Sequence, residues 1–158
     1  MQQPQTPPRL LAPPEALDFM DSQSVILPRA LTAIEAWNLI MSHPLPGMGL
    51  AFRIRDAIAA RFGVRRIGGF SGRAHQAPVV GERLNFFRVE EVSAQMLVLT
   101  DRDKHLDVMT CVQTSGARLT ITSSVITHNR FGKLYMLPVA PAHRFIVRAM
   151  LRRAALAP

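Results

Sequence analysis

The chain has a single cysteine, Cys111, so it can form no intrachain disulfide and no cysteine-based zinc site. It has no run of the about eighteen consecutive apolar residues that a membrane-spanning helix needs, and no basic N-terminal patch leading into an apolar segment. Acidic residues are scarce: eleven Asp and Glu stand against nineteen Lys and Arg, a formal charge of +8. Aromatic residues able to stack on bases are few, one Trp, one Tyr and eight Phe, and no Lys/Arg block is interleaved with them, which argues against a specific nucleic-acid surface. The positive residues are scattered, at Arg53, Arg55, Arg61, Arg65, Arg66, Arg73, Arg144, Arg148, Arg152 and Arg153, and read as a solvated basic surface that attracts phosphates, acidic lipids or an acidic partner without specificity. There is no Gly-x-Ser-x-Gly elbow to support a nucleophilic triad, and Gly68-Gly69-Phe70-Ser71-Gly72 lacks the Lys-Ser/Thr ending of a phosphate loop. What these absences leave is a cytoplasmic protein of one domain, because 158 residues, 48% of them apolar, suffice for one sizeable core and not for two.

Prolines 4, 7, 8, 13 and 14 remove backbone donors from residues 1–14, which read as a disordered tail ahead of a single domain over 15–158. Ser22 to Leu27 reads as a first strand. Thr32-Ala33-Ile34-Glu35 has capping-box spacing and opens a helix to about Met41, with Ile34, Trp37 and Met41 on one face. His43-Pro44-Leu45-Pro46-Gly47 breaks it. A second helix follows from about Met48 to Phe62, with Leu50, Ile54, Ala57 and Ile58 as its apolar side. Gly68, Gly69, Gly72, Pro78 and Gly81 mark a long connection.

Strands are expected over Leu84–Glu91, Met96–Asp101, Lys104–Thr114 and Arg118–His128, an antiparallel meander with turns at Arg102-Asp103 and Ser115-Gly116. Those turns set Leu99 opposite Leu106, Leu97 opposite Val108 and His105 opposite Ile126. Leu97, Leu99, Leu106, Val108, Ile121 and Val125 then share an apolar face, while His105, Asp107 and His128 share the other. After Pro138 and Pro141, Ala142 to about Ala155 forms an amphipathic helix that should cover the apolar face.

Asp103-Lys104-His105-Leu106-Asp107, then Thr127 through Tyr135, then His143-Arg144-Phe145-Ile146-Val147-Arg148, together resemble a bacterial family catalogued as domain of unknown function 2867, from about residue 17 to the end. Some relatives are joined to reductase-like nucleotide-binding modules. The resemblance implies an α+β helix-grip fold of the lipid-transfer and polyketide-cyclase type: a curved antiparallel sheet of five to six strands, two short helices after the first strand, and a long C-terminal helix gripped by the sheet around an apolar cavity. That fold class implies a hydrophobic small molecule as partner, a lipid, quinone or polyketide-like compound, and no cofactor.

The expected lining is Leu97, Leu99, Leu106, Val108, Ile121 and Val125, with Thr127, Asn129, Tyr135, His143 and Arg144 toward the mouth. Asn129 also reads as an end-of-strand turn residue, and Gly132 as a supplier of positive φ. The alternative is an enzyme of the cyclase, isomerase or hydrolase kind in which His105, Asp107 and His128 do acid/base work. Solvation, or an interface such as a homodimer, is the plainer reading of that trio, and no metal site is expected. A basic interaction module is the third alternative.

Overall fold

A computed structural model describes residues 5–63, 66–71 and 74–158, so Arg65, Gly72 and Arg73 lie outside the described residues. The chain is an α+β protein whose described residues form one antiparallel sheet of six strands: β1 (Phe19–Ile26), β2 (Arg83–Leu84), β3 (Phe87–Val92), β4 (Met96–Arg102), β5 (Leu106–Ser115) and β6 (Arg118–Thr127). Their order is β1-β6-β5-β4-β3-β2, so the first strand closes against the last. Two helices follow β1, α1 (Ala33–Met41) and α2 (Met48–Arg61), and a long helix α3 (Arg130–Leu156) ends the chain and packs on the sheet. The class, the two helices after the first strand and the terminal helix are as expected.

The two faces of the meander are also as expected, although its register is not. Val108 pairs with Val125, and Leu99 with Thr110 rather than Leu106. The turns sit one or two residues further along: Gly116 and Ala117 form the β5–β6 turn, with Gly116 at φ +58°, and residues 103 to 105 form the β4–β5 turn. Asp103 makes that second turn by accepting the amides of His105 (2.7 Å) and Leu106 (3.0 Å) on one carboxylate oxygen. Both corrections move the pairing by an even number of residues, and a strand's side chains alternate with period two, so the faces survive. The expected strand over 84–91 is instead a hairpin, turned at Asn85 and Phe86, with Asn85 at φ +58°.

On the inner face Leu97, Leu99, Val112 and Leu119 are completely buried. Trp37, Ile40, Ala33 and Ala36 of α1 and Met150, Leu151 and Ala154 of α3 close over them. The capping box of α1 is present: Thr32 Oγ1 accepts the Glu35 amide (3.3 Å) and the Glu35 carboxylate accepts the Thr32 amide (2.8 Å). Its buried face is Ala33-Ala36-Trp37-Ile40, with Ile34 and Met41 half-buried beside it.

The outer face holds a smaller cluster of Met96, Val98 and Cys111, with Met109 against it. The proline-rich leader has no regular structure from Gln5 to Pro13 and lies on this face. Gln113 donates to Thr6 O (2.8 Å), the Arg9 amide to Cys111 Sγ (3.4 Å), the Leu11 amide to Ser124 Oγ (3.2 Å), and the Arg9 side chain to Glu91 (2.8 Å). The leader therefore caps an apolar patch that would otherwise face water.

α3 begins twelve residues before the expected start at Ala142, running through Pro138 and Pro141. Each proline deletes one hydrogen bond to the carbonyl four residues back, but tertiary packing carries the helix past both. Its first turn is fixed by Asn129, whose Oδ1 accepts the Gly132 amide at 2.9 Å. Gly132 has helical backbone rather than the expected positive φ. It is glycine because a Cβ there would overlap the carbonyl oxygen of His105.

Candidate ligand-binding cavity

Between the inner sheet face and the three helices lies a cavity of about 350 Å³. Its floor is Leu106, Val108, Thr110, Ile121, Ser123 and Val125, its far wall Tyr135, Met136, Val139, His143, Ile146 and Met150 of α3, and its cover Met48, Ala51, Phe52 and Arg55 of α2. α3 reaches round it because the chain from Phe131 to Met150 presents one side to the sheet over five turns. The remaining wall is aromatic. Six of the eight Phe residues line the space, and Trp37, Phe70, Phe86, Phe87 and Phe52 form an edge-to-face and tilted cluster with ring centroids 4.3–6.2 Å apart.

Of the residues expected to line a cavity, Leu106, Val108, Ile121, Val125, Tyr135 and His143 do. Leu97 and Leu99 lie on the same face but are sealed beneath it, fully buried in the core. Thr127 and Asn129 are structural: the amide and hydroxyl of Thr127 donate to Asp18 (2.7 and 3.0 Å), and Asn129 caps α3. Arg144 lies over the Phe19 ring (5.0 Å to its centroid) and 3.9 Å from Asp21, pinning α3 to β1 from outside. The wall residues missed, above all Trp37, Phe52, Arg55 and the 70/86/87 phenylalanines, come from α1, α2, the irregular connection and the β2–β3 hairpin. Their only signal in the sequence was aromatic and Met content, which also suits an ordinary core.

The trio of His105, Asp107 and His128 is split. Because the β4–β5 turn includes residue 105, His105 leaves the strand alternation and joins the cavity wall. Asp107 and His128 stay on the outer face, where Asp107 bridges His128 Nε2 (3.1 Å) and the Arg102 guanidinium (3.1 Å). No group of three or more His, Cys, Asp or Glu arranged to hold a metal ion occurs among the described residues.

Polar groups gather at the α2–α3 end of the cavity. Arg55 Nε donates to Tyr135 Oη (3.0 Å) and Nη1 to Asp56 (2.9 Å), and Asp56 also accepts the Ile67 and Gly68 amides. Half-burial works to lower the Arg55 pKa, but the Tyr135 and Asp56 bonds outweigh it and hold the guanidinium more firmly charged than usual. The His105 ring lies tilted against Phe131 (4.6 Å between centroids), and its Nδ1 lies 2.8 Å from Asn129 Nδ2. The Asn129 amide orientation follows from its other contacts, Oδ1 to the Gly132 N–H and Nδ2 to the Lys104 carbonyl (3.3 Å), which places Nδ2 nearer His105 Nδ1 than Oδ1, at 3.2 Å. His143 meets the edge of Phe19 (5.7 Å), and burial pushes its pKa down, so its imidazole is neutral near pH 7.

Among the described residues four buried side-chain nitrogens lack a hydrogen-bond partner, and three of them, Trp37 Nε1, His105 Nε2 and His143 Nδ1, belong to cavity-wall residues. Buried polar atoms left without a partner cost about 1–3 kcal/mol each, and three of the four gather round this one space.

A family model described as protein of unknown function (DUF2867) matches residues 14–150. No curated protein and no solved structure matches the chain.

Proposed function

For this chain, which belongs to the DUF2867 family, we propose the binding of a hydrophobic small molecule between the sheet and the C-terminal helix. The observation that carries the reading is the cavity of about 350 Å³ itself, apolar and aromatic over most of its wall. That volume falls at the small end of the range for small-molecule sites, roughly 300–1,000 Å³. A packed core of this size has few voids larger than a water molecule. The wall selects for a ring system or branched aliphatic body against Trp37 and the phenylalanines. The unpartnered nitrogens favour a molecule with a few acceptor oxygens, as in a quinone or polyketide-like compound, over a plain hydrocarbon.

Trp37 is the chain's only tryptophan and is 3% exposed in the wall, so its fluorescence reports occupancy. Native mass spectrometry of freshly purified protein should show a co-purifying apolar mass. Titration with small apolar ketones and quinones should change Trp37 emission saturably, and Val108→Phe, which fills the floor, should weaken that binding roughly tenfold or more. A folded protein with no co-purifying mass and no saturable change across the panel would overturn the reading.

A further inference from the structure

α2 is apolar on both sides. Toward the cavity it presents Met48, Ala51 and Phe52, and of its fourteen residues only Met48 and Ala59 are buried. Away from the cavity Leu50, Ile54, Ile58 and Phe62 follow one another at intervals of four, and all are between 52% and 57% exposed. A helix of a globular protein normally turns such a stripe inward; here it faces solvent. The start of α3 continues it. Phe62 packs on Phe131 (5.0 Å between centroids) and Arg55 bonds Tyr135, so α2 lies beside the first turns of α3, where Leu134 (64%) and Leu137 (71%) are exposed.

The charges these two helices carry are nearly all positive. α3 carries six Arg and Lys and no Asp or Glu, and α2 carries three Arg and a single acid, Asp56, already held by Arg55 and two backbone amides. Arg53, Arg61, Arg130 and Lys133 are exposed next to the apolar side chains. Neither helix is apolar enough to cross a membrane. An amphipathic surface of apolar side chains flanked by Arg and Lys suits the interface of an anionic bilayer, where the apolar groups enter the headgroup boundary and the cations meet lipid phosphates. A second copy of the chain suits it less, because two such surfaces face to face bring their arginines together with no free acid on these helices to pair them.

We infer that the outer stripe of α2, continued by Leu134 and Leu137 of α3, docks on the surface of an anionic lipid bilayer. The same helix covers the cavity, so docking brings the cover of the apolar space against the phase in which apolar molecules are dissolved. The docking itself does not depend on the cavity being filled.

The test is co-sedimentation of the full chain with vesicles of phosphatidylcholine alone or with about 30 mol% phosphatidylglycerol. The protein should pellet with the anionic vesicles only. The Ile54→Ser/Ile58→Ser double variant, which keeps the net charge, should lose roughly tenfold or more in partitioning. Arg53→Gln/Lys133→Gln should weaken binding and flatten its salt dependence. If circular dichroism shows the isoleucine variant unfolded, Leu134→Ser/Leu137→Ser takes its place. Three results overturn the inference: no binding to anionic vesicles, binding by the serine variants equal to wild type, which reduces it to generic charge, or a dimer that the serine variants split into monomers. Vesicle binding is read on the protein alone, so failure here and failure of ligand binding in the cavity are separate results.

Discussion

Replacing Gly132 by alanine is a sharp test of how α3 is seated. In most helices this change is favourable, by up to about 1 kcal/mol, because glycine loses more backbone entropy. At Gly132 the added methyl would overlap the carbonyl oxygen of His105 and stand 3.3 Å from Thr127 Cβ. The His105 carbonyl cannot retreat freely, since it accepts the His128 amide at 2.8 Å and so ties the end of β6 to the β4–β5 turn. Overpacking against backbone costs typically about 1–3 kcal/mol. The net expectation is a loss of about 1–2 kcal/mol, which at an ordinary urea dependence moves the unfolding midpoint down by roughly 0.5–1 M. Gly49→Ala is the control, because nothing lies within 4 Å of a Cβ built there, and it should be neutral or slightly stabilising. Urea denaturation followed by Trp37 emission and by far-ultraviolet dichroism measures both. A Gly132→Ala midpoint at or above wild type would mean that the first turn of α3 is not clamped against the turn at His105, and the seating described above would be wrong.

Burial lowers the pKa of His143, so the unfolded chain takes up its proton first as pH falls; stability should be level above about pH 6.5 and decline below it, toward the depressed folded value. Asp21 and Arg144 are the charged groups that act on this ring. Urea midpoints at pH 7.5 and pH 5 should differ less in His143→Gln than in wild type, and equal differences would assign the pH response elsewhere. The Cys111 thiol is fully buried and its pKa is raised by that burial, so it should react with Ellman's reagent only as the protein opens. Deleting residues 1–12 strips the leader from the outer face and should accelerate the reaction roughly tenfold or more; an unchanged rate would show that the strands alone shield the thiol.

The parts of this fold that were legible in the sequence rest on period two and on local chemistry. The inner face of β5 and β6 could be read because an even slip in register leaves every side chain on its own side, and the capping box of α1 because Thr32 and Glu35 need only each other. Three parts depended on long-range packing. The β4–β5 turn shifted because Asp103 supplies a better turn than Arg102-Asp103, and that shift took His105 out of the supposed trio and into the cavity wall. α2 could not be oriented because both of its sides are apolar: Leu50, Ile54 and Ile58 face solvent, while Met48, Ala51 and Phe52 line the cavity. The start of α3 was hidden by Pro138 and Pro141, which stop an isolated helix but not one clamped at Asn129 and packed at Met150 and Leu151. Aromatic content alone could not reveal the wall, because Trp37, Phe52 and Phe70 reach it from separate segments.

The pairing of β1 with β6 sets the order in which this chain can be assembled. Among the described residues Phe19–Ile26 hydrogen-bonds in the sheet to Arg118–Val125 alone, about a hundred positions later, and separations of that size slow folding. During synthesis the first strand and the two helices after it are therefore outside the ribosome while their sheet partner is still untranslated. The hairpins from β2 to β5 can form as they emerge, but β1 must wait. Until β6 arrives, Phe19 and Val25 have no strand beside them, and the growing chain carries an unpaired strand, apolar at both ends, that neighbouring nascent chains can capture. Expression yield should accordingly respond to changes in β6 and β1 together, even where the finished protein tolerates them.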